Sequence, residues 1–392
     1  MEKPKIRFGQ FNDKWKKNKL DTVVDFFDNQ RIPIDSGERK AGPYPYYGAS
    51  GIIDFVDGYI FNGEYVLLAE DGANIILRSS PIAYLTKGKF WLNNHAHIMK
   101  MKTGSNEFLI QLLEKQNYEK YNTGTAQPKL NGEVVKKISL HFPSDEEQSS
   151  IGSHFRTLDE LLASYKDNLA NYQSLKATMI SKMFPKAGQT VPEIRLDGFE
   201  GEWEVQTLKE LASFSKGNGY TKNDLVNSGE EIILYGRLYT NYQTVISKVN
   251  TFVTTVKANA VISKGGEVIV PASGESAEDI SRASVVDKSG VILGGDLNII
   301  YPDENKVDSI FLALTISNGS QQKELIKRAQ GKSIVHLRNN DLEKVVLHYP
   351  SLKEQQAIGS YFSNLDNLIA AHQEKISQLE TLKKKLLQDM FI

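Results

Sequence analysis

Between Pro143 and Pro185 the chain contains no proline, and its apolar residues return at helical intervals. Leu158, Leu162, Tyr165, Leu169 and Tyr172 are followed by Leu175, Met179 and Met183. The same series closes the chain: Leu365, Ile369, His372, Ile376 and Leu379, then Leu382, Leu386 and Met390. Each runs 4-3-4-3, slips by a further 3, and continues 4-4. Alternating steps of 4 and 3 mark a helix that packs by knobs into holes, and the added 3 predicts a local stammer. A helix of about 38 residues is roughly 57 Å long, too long to bury such a stripe against a small domain. The spacing therefore predicts two long helices packed on each other as an antiparallel coiled coil. His372 stands where Tyr165 stands in the first series, and reads as a packed ring with a wet edge.

The two helical stretches belong to a repeat. Residues 138–184 and 345–391 align without a gap and agree at 18 of 47 positions. Shared residues include His141 with His348, Pro143 with Pro350, Glu147-Gln148 with Glu354-Gln355, Ile151-Gly152-Ser153 with Ile358-Gly359-Ser360, and Leu158-Asp159 with Leu365-Asp366. A second layer lies upstream. Pro4, Ile6, Arg7, Phe11, Trp15 and Leu20 correspond to Pro192, Ile194, Arg195, Phe199, Trp203 and Leu208. Each unit is thus a lead-in segment, a variable middle and a long helix. Internal repeats of this kind decide the fold before any single motif does. The expected class is α+β, with two mixed domains separated by two long helices in a pseudo-two-fold arrangement. Boundaries are expected at 1–143, 144–186, 187–350 and 351–392.

The middles are rich in glycine, aromatic and β-branched residues. In the first, Tyr44 to Gly48 reads as a turn cluster, and Tyr59 to Leu68 as two strands around Asn62-Gly63. Residues 74–77, 82–85 and 97–101 read as strands, 108–119 as a helix, 121–130 as a loop, and 134–140 as a strand. In the second, 231–235, 267–270 and 297–301 read as strands and 310–327 as a helix. The loop 331–337 takes the place of the first one.

Composition changes this picture little. The 392 residues carry a net charge of −1 and no cysteine, so disulfides and thiolate metal sites are excluded. No apolar leader and no run near the roughly 18 residues of a membrane span occurs; cytoplasm without membrane association is expected. A nucleic-acid partner would need local basic patches. Gly331-Lys332-Ser333 resembles the tail of a P-loop, but Ile326 stands where its first glycine belongs. Lys216-Gly-Asn-Gly-Tyr has Lys222 in place of a third glycine. His95 and His97, two apart on an extended segment, face opposite sides, which disfavours a metal pair. No constellation of catalytic residues is visible, and no enzyme chemistry is expected.

The repeat as a whole resembles the specificity subunit of type I restriction-modification systems, over essentially the full length. The run Leu140-x-x-Pro-Ser-x-x-Glu-Gln-x-x-Ile-Gly152, repeated at Leu347 to Gly359, resembles the family's start-of-helix motif. Members often show a second proline and an apolar residue there; this chain has Ser144-Asp145 and Ser351-Leu352. Gly124-Thr-Ala-Gln resembles the Gly-Ser/Thr-x-Gln loop that closes many such domains, whereas Gly331-Lys-Ser-Ile lacks the glutamine.

The resemblance implies a non-catalytic DNA-recognition subunit with two target-recognition domains, each reading half of a bipartite duplex site. It implies two modification subunits, which bind S-adenosylmethionine and methylate adenine. It also implies two restriction subunits that use ATP and magnesium; no cofactor is expected in this chain. Two other readings compete: the same architecture beside a fused methylase-nuclease, and a coiled-coil assembly protein without a DNA role. Bases are read by Arg, Lys, Asn and Gln, and phosphates are held by Lys and Arg. DNA-contact candidates in the first domain are Tyr44, Tyr46, Tyr47, Asn93, Asn94, His95, Gln127 and Lys129. In the second they are Arg237, Tyr239, Asn241, Tyr242, Ser273, Arg282, Lys332, His336 and Arg338. Lys14, Lys16, Lys17 and Lys19 are weaker phosphate candidates. Glu147, Gln148, Glu354 and Gln355 are candidates for partner contact, or for capping a first helical turn.

Overall fold

The computed structural model describes residues 3–331 and 334–392. Two compact units form, Met1–Asp167 with Gln373–Ile392, and Asn168–His372. Each combines one mixed domain with part of both long helices, which are α1 (Asp145–Met183) and α2 (Leu352–Asp389). The units therefore cut through both helices.

Within each unit the helices run antiparallel. In unit 1, Leu158, Leu162 and Leu379 bury one another, with Tyr165, Ile376 and Leu386 packed on them. Lys383 pairs with Asp159, and Lys166 with Glu380. In unit 2, the Tyr172 and His372 rings meet edge-on at 5.1 Å, and Lys176 pairs with Asp366. The expected stammer is absent. Leu175 and Leu382 are 41% and 45% exposed, while the part-buried Lys176 and Lys383 take the seam positions. The 4-3 alternation thus runs on unbroken. Apolar spacing alone points to the leucine one residue earlier, but a lysine can lay its stem along a seam and snorkel its amine.

Unit 1 holds two sheets of four strands. One runs Val24–Phe26, Ala96–Met101, Tyr65–Ala69, Ala83–Thr86; the other runs Gly51–Val56, Ala41–Gly48, Lys89–Leu92, Phe61–Asn62. Unit 2 holds two of five, and one contains the counterpart series Ala212–Lys216, Leu297–Pro302, Glu267–Pro271, Ser284–Val286. Several expected elements differ. Tyr44 to Gly48 is the end of a strand, not a turn. Asn62-Gly63 closes no hairpin, because Phe61–Asn62 pairs with Lys89–Leu92 whereas Tyr65–Ala69 pairs in the other sheet. Asn74–Leu77 is a helical turn; the Asn74 carboxamide accepts from Ser79 Oγ and Ser80 N, a local bond that competes with extension. The segment 134–140 splits into a helix, Gly132–Lys136, and a strand, Ser139–Phe142. The 310–327 helix is two, Ser309–Ile316 and Gly319–Arg328, broken where Gly319 takes φ +68°.

The shared frame is a latch at the start of each long helix. The lead-in strand Lys16–Lys19 pairs with Ser139–Phe142, and Glu204–Thr207 with Val346–Tyr349. Arg7 Nε and Nη2 each donate to the Glu147 carboxylate at 2.7 Å. Arg195 does the same to Glu354 at 2.8 and 2.7 Å. Gln148 donates to Pro143 O, and Gln355 to Pro350 O and Lys306 O. The Gln355 carbonyl accepts from Asp308 N at 3.0 Å, where a domain helix begins. In unit 1, a Cβ on Gly152 would lie 2.6 Å from Ser105 Oγ and 2.9 Å from Phe108 N, so the start of the helix Asn106–Lys115 sits directly on α1. Trp15 packs on Phe108 and Phe391, and Trp203 on Phe184 and Phe311. Glu147, Gln148, Glu354 and Gln355 are all buried and occupied within the chain. This corrects the expectation that they meet a partner.

Arg7→Ala leaves a buried carboxylate without its cation, which is expected to cost about 3 kcal/mol and to lower the melting temperature; Arg7→Lys, which cannot bind both oxygens, should recover only part. At the seam, Lys383→Asp alone is expected to destabilise by about 1 kcal/mol, since the pair is part-exposed. Adding Asp159→Lys should restore the stability in a double-mutant cycle followed by denaturant unfolding.

Candidate nucleic-acid interface

In unit 1, three loops meet where the strands Tyr65–Ala69 and Ala96–Met101 run side by side. Glu70 N donates to His95 O at 2.9 Å, Gly72 N to Pro128 O at 3.0 Å, and Leu130 N to Glu70 O at 2.7 Å. The Asn122 carboxamide accepts from both Gly124 N and Lys129 N. A Cβ on Gly124 would fall 1.8 Å from Gln127 O, so only glycine lets the loop close. Asp71 binds His95 Nδ1 at 2.8 Å, and Lys129 reaches Glu70 at 3.4 Å.

Beneath these loops His97 is buried. Its Nδ1 meets Asp28 Oδ2 at 2.7 Å and its Nε2 meets Leu130 O at 2.8 Å. The ring thereby ties the Asp28 turn to the 121–130 loop. Arg31 ties Glu70 to Ala96 O at 2.6 and 2.8 Å. Burial pushes the Asp28 carboxyl up, but the His97 bond and charge, the Ile98 N–H and Arg31 outweigh it and hold it below the ordinary carboxylate value.

Unit 2 repeats the frame with other side chains. Ala272 N donates to Asp296 O at 2.8 Å and Leu337 N to Ala272 O at 3.0 Å. Ser273 pairs with His336 across the strands Ser273–Gly274 and Val335–His336. Asn298 Nδ2 donates to Leu337 O at 2.8 Å, as His97 does to Leu130 O. Asp296 stands in the place of His95, and a Cβ on Gly331 would meet Ile334 O at 1.9 Å. Conserved backbone bonds thus present unlike side chains in the two units.

The predicted residues divide. Asn94, His95, Gln127 and Lys129 are exposed and converge on the unit 1 loops, as His336 does in unit 2. Asn93 is buried and accepts from His95 N, and Ser273 is buried with its hydroxyl on Asp296; both brace the loops. Tyr46 is fully buried, hydrogen-bonded to Ile34, which corrects its assignment as a base contact. Tyr47 lies between Tyr84 and Phe90, and Tyr44 against Tyr59. Arg237 donates through its two terminal nitrogens to Asn250, Gln243 and Lys248 O. Tyr242 donates to Ala283 O with Arg282 over its ring, and both line a hollow with Lys176 of α1, away from the loop cluster. Tyr239 and Asn241 line a separate cleft. Arg338 is exposed next to Leu337, and Lys332 lies outside the described residues. Lys16, Lys17 and Lys19 form the lead-in strand, whose counterpart carries Glu204, Val205 and Thr207; that basic strip is not part of the shared frame. Asp71 and Asp296 stand on the same loops outside the predicted set, and a carboxylate there is an acceptor suited to cytosine N4.

Residues 12–171 and 200–381 each match the family described as type I restriction modification DNA specificity domain. The chain belongs to that family. As a specificity subunit it recognises DNA and is not itself catalytic. A Haemophilus influenzae chain described as a type I restriction enzyme specificity subunit is 27% identical, covering 90% of this chain and 88% of its own length. The MjaVIII type I specificity subunit of Methanocaldococcus jannaschii is 22% identical, with coverages of 95% and 91%. The crystal structure of the type I restriction-modification S subunit from M. genitalium superposes with a TM-score of 0.70 at 15% identity, covering 100% of this chain and 99% of that one. The α+β class with long helices is therefore that of the specificity-subunit fold. Among the described residues no helix is long and apolar enough to cross a membrane, and no cluster suited to a metal ion occurs.

Because the folded Asp28 value is lowered, its contribution to this specificity subunit is present above the ordinary carboxylate value, about 3.9. It is lost as the pH falls through the lower folded value. Asp28→Asn is expected to remove that acid limb from a melting-temperature profile between about pH 5 and 2, and to lower stability at neutral pH.

Proposed function

We propose that each unit of this specificity subunit reads one half of a bipartite, asymmetric duplex site, through the loops around Asn94, His95, Gln127 and Lys129 in unit 1 and around His336 and Arg338 in unit 2. The observation that carries this reading is the shared loop frame with exchanged side chains. A scaffold that keeps its backbone bonds while varying what it presents is what two different half-sites require. Half-sites are then separated by a gap the chain does not read. A 39-residue helix spans about 58 Å, ample for half-sites near one turn apart, about 34–36 Å, so the coil acts as the ruler of that gap.

Two modification subunits that bind S-adenosylmethionine methylate adenine in the site, and two restriction subunits using ATP and magnesium complete the nuclease. With the Glu-Gln pairs buried, the partner face moves to the outside of the helices. Leu161, Leu175, Leu368 and Leu382 are each over 40% exposed there, and occupy matching positions of the repeat.

The test is base-resolved adenine methylation in a methylation-free host, with the modification subunits expressed alone or with this chain. A split motif methylated only when both are present is expected. Gln127→Ala with Asn94→Ala should relax one half and leave the other intact, whereas Leu161→Asp with Leu368→Asp should abolish methylation without unfolding the chain. Methylation that does not depend on this chain would remove the specificity role.

A further inference from the structure

Beside the unit 2 loop cluster lies a cleft of about 1020 Å³, lined by Tyr220, Lys222, Tyr235, Tyr239, Asn241 and Asp296 among others. That is at or above the upper end of small-molecule pockets, roughly 300–1,000 Å³. Its walls are preformed. Arg237 ties the helical turn Arg237–Thr240 to Gln243, Lys248 and Asn250. The Tyr220 hydroxyl is fixed by Thr255 O and Lys257 N, and Gly295 N donates to Gly219 O at 2.7 Å. Two side-chain-bearing residues on the wall, Tyr220 and Asp296, hold positive φ of 51° and 58°. Such conformations cost free energy and gather at functional sites.

The lining chemistry is specific. Tyr235 and Tyr239 meet edge to face, with ring centroids 6.1 Å apart and planes at 61°, so Tyr239 offers a face of the kind on which a base stacks and Tyr235 braces it. Asn241, exposed at the rim, and Asp296 supply a donor and acceptors suited to a base edge, and exposed Lys222 suits a phosphate. Asp296 also accepts from Ser273, so the cleft is continuous with the loops assigned to DNA. The flat edge of a stacked pair in a groove would leave so deep a hollow in water; one nucleotide turned out of the stack would fill it.

We propose that this cleft takes a single extrahelical nucleotide of the bound DNA, its base stacked on Tyr239 and its edge met by Asn241 and Asp296. This rests on unit 2 reading DNA, as argued above. Capture of this kind is opposed by the pairing and stacking of the base, and that cost is least at a mismatch.

The experiment is a mismatch scan with the full chain and its modification subunits. Single mismatches are placed at each pair of the unit 2 half-site, the methylated adenine pair excepted, and binding is followed by anisotropy. At one position a mismatch that keeps the captured base is expected to tighten binding about tenfold or more, while at pairs read in place it weakens binding. Tyr239→Ala and, independently, Asn241→Ala should remove the tightening yet leave the melting temperature of the full chain unchanged, which controls for folding. The inference is overturned if no mismatch tightens binding, or if the tightening survives both variants; DNA reading itself then stands. Saturable binding of a nucleoside monophosphate without any mismatch effect would give the cleft to a free nucleotide instead, and also overturn it. Absence of all sequence-specific binding would sink the DNA reading along with it.

Discussion

Everything else in this chain hangs on the buried contact between an arginine of the lead-in segment and the glutamate at the start of a long helix. Neither Arg7 nor Glu147 could be buried alone, because an isolated charge in a poor solvent is very costly. Together, with two parallel hydrogen bonds at 2.7 Å, they are satisfied. The pair fixes the lead-in segment on the first turn of α1, and Gln148 and Gly152 then seat the helix start of the domain on the same turn. The domain and the coil are thereby one object, and Arg195 with Glu354 does the same in unit 2. A motif that looks like a surface signature is an internal joint.

The coil shows a related use of charge. A lysine at each seam would weaken a purely apolar interface, but Lys176 and Lys383 find Asp366 and Asp159 on the opposite helix. A polar residue at a seam position is a known means of choosing register and orientation at some cost in stability. An antiparallel pairing shifted by a turn would bury the lysine amines without carboxylates. Leu175 and Leu382, one residue earlier, are released to the outside, where they join Leu161 and Leu368 as apolar surface available to partner chains.

The recognition loops combine rigidity with variability. Their backbone bonds match between the units, and buried side chains of different kinds make the same bond: His97 to Leu130 O, Asn298 to Leu337 O. Backbone bonds do not depend on side-chain identity, so the exposed positions are free to differ. That separation gives the two units one frame with different exposed side chains, and unit 2 has a cleft beside its loops.

The sequence by itself determined the repeat, the two long helices and the family, because helical periodicity and shared residues at fixed spacing are local, one-dimensional signals. It also located the Gly124–Lys129 loop, through glycine and polar residues that only a tight exposed turn tolerates. It did not reveal that Asn74–Leu77 coils, that Asn62-Gly63 joins different sheets, or that Lys176 and Lys383 sit on the seam. The last two depend on which distant strand or carboxylate arrives alongside, and the first on a local Asn74 side-chain bond that outweighs the β-branched pattern. Burial was likewise decided only in three dimensions: Tyr46, Asn93, Ser273 and the Glu-Gln pairs have the chemistry of contact residues, and tertiary packing spends that chemistry inside the chain. Exposure is a property of the folded surface, and no residue type carries it alone.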